Sequence, residues 1–202
     1  DPDNTRLWRM TPRRLDAESL RDALLAVREQ LDTTPPVGSV VARAGEGPVT
    51  RPRFGGDPIA VAINDPRNTR RSIYLPIIRD NLPEALALFD AADPSLITAD
   101  RPQTTVPSQG LFLLNNAFVM RAADAAADRL LEKDTEVDRI RGAFVRFYGR
   151  PPTAQEQTGA ASFLAAYRTQ LTKEHASAPT QERELWSAFC QALFASAEFQ
   201  YR

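Results

Sequence analysis

The stretch Thr135-Glu136-Val137-Asp138-Arg139-Ile140-Arg141-Gly142-Ala143-Phe144-Val145-Arg146-Phe147-Tyr148-Gly149-Arg150-Pro151-Pro152-Thr153-Ala154-Gln155-Glu156 decides the fold class. Val137, Ile140, Phe144 and Phe147 are spaced three, four and three apart, the stripe of a helix with one buried face. Gly149 ends that helix, and Pro151-Pro152 prevents its continuation. Thr153 to Glu156 is a capping box. The Thr153 hydroxyl accepts the Glu156 backbone N–H while the Glu156 carboxylate reaches back to the Thr153 N–H.

The helical signature extends in both directions. Towards the C-terminus, Ala160, Phe163, Leu164, Tyr167 and Leu171 line the helix that the box opens. Thr180 is placed to cap a last helix. Its Trp186, Phe189, Cys190, Leu193, Phe194 and Ala197 form a face wide enough to be buried on more than one side. Towards the N-terminus, Asn115 or Asn116 caps a helix from Ala117 to about Glu132, rich in alanine at 122, 123, 125, 126 and 127. Such small side chains let a neighbouring helix approach closely. A short apolar segment spans Ser108 to Leu114, and Asn81 caps a short helix through Ala85, Leu86 and Phe89. The first helix starts at Asp16 as N-cap, carries Glu18 in its first turn, and runs to Leu31 on Leu20, Leu24, Val27 and Leu31.

From Asp32 to Arg70 prolines and glycines break any helical period. Ser39-Val40-Val41, Ile59 to Ile63 and Ser72 to Ile78 are β-rich, with Pro76 confining the last run to a sheet edge. The predicted architecture is mainly α: a multi-helix bundle with a small antiparallel β hairpin or sheet inserted after the first long helix. It is read as a single domain over 1–202, with 33–80 as a Pro/Gly-rich, β-containing subregion and 81–202 as the helical core.

A chain of 202 residues supports one good core without staples. Basic and acidic residues number 25 and 26, a balance that argues against nucleic-acid binding and against attraction to an anionic membrane. No stretch approaches the roughly 18 apolar residues of a membrane span. The polar, acidic start at Asp1 and the absence of an initial methionine suggest a piece of a longer protein.

With His175 as the sole histidine and Cys190 as the sole cysteine, the chain lacks the ligand spacings of zinc, haem or iron–sulfur sites, so no metal or cofactor is expected in it. Cys190 reads as a small core residue and His175 as a loop residue. Ser108 is not set in a nucleophile elbow, and Gly45-Glu46-Gly47-Pro48 lacks the lysine and helix of a phosphate-binding loop. Carboxylates remain. Asp90, Asp93 and Asp100 share a loop that could bind calcium or supply an acid/base pair, though the spacing matches no EF-hand.

Two further groups stand out. Arg13, Arg14, Asp16, Glu18, Arg21 and Asp22 bracket the start of the first helix, and Arg71, Tyr74, Arg79 and Asp80 flank an apolar run. If the two segments are neighbours, arginines and carboxylates would pair bidentately into a packing network. The alternative is an anion or sugar-sulfate site built from Arg14, Arg71 and Arg79. Arg14, Asp16, Arg21, Asp22, Arg71, Tyr74, Arg79, Asp90 and Asp93 are therefore the candidate ligand-binding residues.

The same residues carry a family resemblance. The blocks are Asp1 to Asn4 with Leu7-Trp8-Arg9-Met10 and Arg13 to Leu24; Arg71-Ser72-Ile73-Tyr74-Leu75-Pro76; Leu88-Phe89-Asp90 with Asp93-Pro94; Thr104 to Val119; Gly149 to Thr153; and Ser196-Ala197-Glu198-Phe199. Across essentially the whole chain they resemble the planctomycete domain of unknown function numbered 1553. That resemblance implies a C-terminal position in large exported proteins, often behind a cytochrome-c-like domain, hence an extracytoplasmic location with any haem held upstream. It carries over no catalytic residue. Where the family tends to show Ser-Gly after Ala-Val, this chain has Arg28-Glu29, which argues against a close backbone contact there.

Three readings follow. The leading one is a non-catalytic interaction module of a large exported protein, with upstream domains or polysaccharide as partner. The second is a carboxylate-dependent hydrolase or lyase using Asp16, Asp22, Asp90 and Asp93. The third is a docking domain for an upstream cytochrome-like domain.

Overall fold

Local hydrogen bonding sets where each helix begins and ends. The computed structural model describes residues 1, 3–38, 65, 67–77, 82–173 and 178–201. Helix α1 (Ala17–Val27) starts where Asp16 accepts the Ser19 N–H at 2.9 Å. Its apolar spacing predicts an end at Leu31, yet it stops four residues earlier. The Gln30 N–H bonds to the Leu25 carbonyl at 3.1 Å and the Glu29 N–H to the Ala26 carbonyl at 2.9 Å, with Glu29 left-handed at φ 58°. This double bond satisfies the last carbonyls and turns the chain, whatever hydrophobic residue follows. Arg146 then covers the Val27 carbonyl at 2.9 Å and pairs with Glu29 at 2.7 Å, placing a cation at the negative helix end.

The run Ser72 to Ile78, expected as an edge strand, departs from that reading. Ser72–Tyr74 forms one 3-10 turn, η1. Asp22 accepts both the Ser72 N–H and its hydroxyl at 2.7 Å, while the Tyr74 and Leu75 N–H groups close back on Arg71 and Ser72. A side-chain acceptor supplied by α1 thus outcompetes a ladder. Among the described residues there is no strand, and β-pairing is confined to two isolated bridges, Asp32 with Arg70 and Arg14 with Tyr201. The other two hairpin segments, Ser39 to Val41 and Ile59 to Ile63, lie outside the described residues. The Asp32 bridge, with Asp32 N–H on Thr69 and Arg71 N–H on Asp32, clasps the base of the Pro/Gly-rich excursion.

Helices α2 (Glu84–Leu88), α3 (Pro107–Asn115), α4 (Ala117–Leu131), α5 (Glu136–Tyr148), α6 (Ala154–Lys173), α7 (Ala178–Ala195) and α8 (Ala197–Gln200) follow. Asn116 caps α4 through the Phe118 N–H, and Thr135 caps α5 through the Asp138 N–H. Gly149 ends α5 in the left-handed conformation at φ 73°. The capping box before α6 is formed, with Thr153 N–H on Glu156 at 2.7 Å and Glu156 N–H on Thr153 at 3.3 Å. Two cap assignments shift. Helix α2 begins after Pro83 rather than at Asn81, which is not among the described residues, and α7 starts at Ala178, leaving Thr180 inside its first turn. Ser196 caps α8 through the Phe199 N–H and so splits the last helix, with Ala197 exposed beyond the break.

The core is organised on α4 against α7, the most extensive helix pair. Ala122, Ala123, Ala126 and Ala127 of α4 are fully buried, as are Leu185, Trp186, Cys190 and Phe194 of α7. Arg183, Ser187 and Gln191, one turn apart along α7, bond to Asp128, Asp124 and the Leu114 carbonyl in turn. The order of those partners shows that α4 and α7 run antiparallel. Helices α6, α5 and α8 pack on the other sides of α7, where Phe147, Phe194 and Phe199 meet with ring centroids 4.5 to 6.0 Å apart. Val137, counted in the α5 stripe, is exposed; Ile140, Phe144 and Phe147 are the buried members. The Leu15 N–H bonds to the Gln200 carbonyl at 2.7 Å, bringing both chain ends to one place.

Two glycine replacements should separate helix propensity from backbone geometry. Gly159 is exposed within α6 with no atom within 4 Å of an added Cβ, so Gly159→Ala should raise unfolding stability by about 0.5–1 kcal/mol in urea titration. Gly149→Ala, at a left-handed position, should lower it by about 1–2 kcal/mol.

Candidate functional site

Helix α1 carries Arg21 and Asp22 on adjacent positions, so they meet the following chain at neighbouring points of the η1 segment. The Arg21 guanidinium is buried and donates to the carbonyls of Asn68 and Arg70, at 2.6 and 2.8 Å, and to the Ser72 hydroxyl at 3.2 Å. Its charge sits 5.2 Å from the Phe118 ring centre. Burial pushes the Arg21 guanidinium down to about 10 despite the neighbouring Asp22, and the like charge of Arg28 adds to the effect. Asp22 holds Ser72 from the other side and draws Arg71 to 3.4 Å. One helical turn therefore clamps the 68–72 segment by its backbone.

Arg14 forms a second centre. Its guanidinium, 5% exposed, pairs with Asp90 at 2.6 Å and also donates to the carbonyls of Thr104 and Phe89 and to Gln109. Asp90 is left-handed at φ 64° just beyond α2, a conformation that Asp tolerates better than most residues. There it also accepts the Thr104 N–H and hydroxyl, each at 2.8 Å. Burial pushes the Asp90 carboxyl up, but the bonds from Arg14 and Thr104 outweigh it and hold the group below the ordinary carboxylate range. Gln109 completes the closure, donating to the Leu88 carbonyl at 3.0 Å and accepting the Val106 N–H at 3.3 Å. Glu18 and Arg101 lie outside as a bidentate pair at 2.6 and 3.0 Å.

Of the nine candidate residues, Arg21, Asp22 and Arg71 come together, and Arg14 joins Asp90 in a separate cluster. Asp16 is a helix cap, and Asp93 an exposed turn residue accepting the Ser95 N–H. Tyr74 closes η1 half-buried, and Arg79 lies outside the described residues. An anion on Arg14 would have to displace Asp90. The calcium reading of the Asp90 loop fares similarly: Asp90 is taken, and no group of three metal-ligating side chains occurs among the described residues. His175 is likewise outside the described residues, whereas Cys190 is fully buried and burial pushes its thiol well up.

Sequence reasoning missed Thr104 and Gln109, though both lie in the longest block of the resemblance. It also missed a third clamp, at the junction of α5, α6 and α8. Arg150 bonds bidentately to Glu156, at 2.6 and 2.8 Å, and to Glu198, at 2.7 Å through two nitrogens. Those bonds, with the Thr153 N–H, lower the Glu156 carboxyl from its ordinary 4.5 to about 2. Only the pairing of the Gly149-Arg150 and Glu198 blocks in space reveals the link.

A family model described as a protein of unknown function (DUF1553), PSD1, matches residues 1–164. No curated protein and no solved structure matches the chain.

Asp90→Asn should cost about 3–5 kcal/mol in chemical denaturation, because it leaves the buried Arg14 charge unpaired. The folded carboxyls of Asp90 and Glu156 lie below their unfolded values, so the contribution of each is complete above about pH 5 and is lost on acidification, for Glu156 as pH falls through about 2. Glu156→Gln should accordingly flatten the acid limb of a stability–pH curve between pH 4.5 and 2.

Proposed function

We propose, for a chain that belongs to the DUF1553 family of proteins of unknown function, that it is a non-catalytic interaction module of a larger exported protein. One observation carries this reading. The two inward-facing candidate carboxylates, Asp22 and Asp90, are occupied by arginine and by backbone N–H groups. Asp90 is moreover held below its ordinary range, whereas a general acid at neutral pH needs a raised value. A glycosidase pair needs two carboxyl groups free to reach the substrate, whereas each of these is engaged by several donors of the chain itself.

An interaction role has its own support in the N-terminal arm. Leu7, Trp8 and Met10 are 80%, 68% and 78% exposed and stand together beside Arg9 and Arg13. Asp1 and Asn4 hold the arm in place, Asp1 by accepting the Thr5 and Arg6 N–H groups and Asn4 by donating to the Arg9 carbonyl at 2.8 Å. Apolar side chains presented on an ordered arm suit contact with an upstream domain of the same polypeptide. Extracytoplasmic placement and polysaccharide as a further partner belong to the same proposal.

A turnover and binding screen of the chain against sulfated and uronate polysaccharides tests the reading. No product should form. Turnover that disappears in Asp22→Asn, with folding verified by circular dichroism, would establish the hydrolase or lyase instead. Replacing Leu7 and Met10 together by serine should change stability by no more than about 0.5 kcal/mol, since both are exposed, while weakening association with the upstream part of the polypeptide measured by calorimetry.

A further inference from the structure

Arg28 follows the last turn of α1, is only 4% exposed, and has its Nε buried with no hydrogen-bond partner. It opens into a surface cleft of about 300 Å³ between the end of α1 and the flank of α4. The other cations of that cleft differ in how they are balanced. Arg67 pairs with Asp65 at 3.0 Å. Arg183 bonds both oxygens of Asp128, at 2.7 and 3.2 Å, and Asp124 accepts the Ser187 hydroxyl at 2.5 Å. Both lining carboxylates are thus committed to α7. Arg121, exposed on α4, shares the cleft, and among the described residues neither it nor Arg28 has a carboxylate in ion-pair reach.

A buried guanidinium with an unmet Nε–H donor, close to a second cation, is costly to hold. Two contributions lower the Arg28 guanidinium: burial first, then the like charge of Arg121. The Phe118 ring, 5.5 Å from the Arg28 charge, offsets part of that cost but is shared with Arg21 on the same ring. What Arg28 lacks is an acceptor, since Asp124 and Asp128 in the same cleft are held by α7. A planar guanidinium fork opposite a second arginine, with the Gln30 amide at the rim, matches the donor pattern that recognises oxyanions.

We infer that the cleft between Arg28 and Arg121 is a binding site for an oxyanion group, a sulfate, phosphate or carboxylate borne by a ligand. The site adjoins the Arg21 clamp across the Phe118 ring but uses neither Asp22 nor Asp90, so its success or failure is independent of whether the chain is catalytic.

Calorimetric titration of the whole chain with sodium sulfate, inorganic phosphate and acetate, at constant ionic strength set with chloride, tests it. Saturable one-to-one binding of at least one probe is expected. Sulfate and phosphate above acetate would identify a tetrahedral group, and the reverse order a carboxylate. Arg121→Gln, a surface change, should weaken binding about tenfold, and Arg28→Met, which keeps the stem beside Phe118, at least as much. Arg13→Gln, exposed and outside the cleft, should leave it unchanged. Should Arg28→Met fold poorly, Arg121→Gln still decides the matter. No saturable binding of any probe, or equal binding by Arg121→Gln, overturns the inference.

Discussion

The close approach of α4 to α7 is the contact on which the rest of the molecule is assembled. Alanine is what makes it possible: four fully buried alanines of α4 leave no side-chain ridge there, so α7 can place Leu185, Trp186 and Phe194 in the interior. Trp186, Phe189 and Phe194 then have space to reach the surrounding helices, whose aromatic residues close around them. Arg183 and Ser187, bonded to Asp128 and Asp124, fix the register of the pair along its edge, and Gln191 ties α7 to the end of α3 through the Leu114 carbonyl. Dry packing sets the distance, and directional bonds set the alignment.

Segments outside this helical core lack comparable apolar surface and are held instead by arginine. Arg14 gathers the N-terminal arm, the end of α2 and the approach to α3; Arg21 holds 68–72; Arg150 joins α6 to α8. In the first two centres a guanidinium, with donors fanned in one plane, collects carbonyls that no helix or sheet would otherwise satisfy. This explains why irregular chain can be ordered with so little strand. It also explains why the carboxylates there are poor candidates for chemistry, since each is consumed in neutralising the guanidinium that does the holding. Arg28 is the exception in this scheme, a buried guanidinium left without such a counterpart.

Helix identity was legible because it rests on local patterns. Caps at Asp16, Asn116, Thr135 and the Thr153–Glu156 box stand where their side chains meet N–H groups three residues or fewer away. The errors have a common origin in partners distant in sequence. Ser72 to Tyr74 has β-forming residues, yet Asp22, fifty positions away, caps it into a 3-10 turn. The end of α1 was misjudged because Leu31 keeps the apolar spacing while Glu29 turns left-handed, stabilised by Arg146 from α5.

By itself the sequence determined a mainly helical chain with one histidine and one cysteine, and arginines and acids gathered near the first helix. Those properties follow from composition and from spacing along one element. Only the tertiary structure decided which arginine meets which acid, because ion pairing depends on the approach of segments fifty to ninety residues apart. It also decided that Arg28 is buried beside Arg121 with, among the described residues, no carboxylate in ion-pair reach of either. Burial is a property of what surrounds a residue, and no local pattern encodes it.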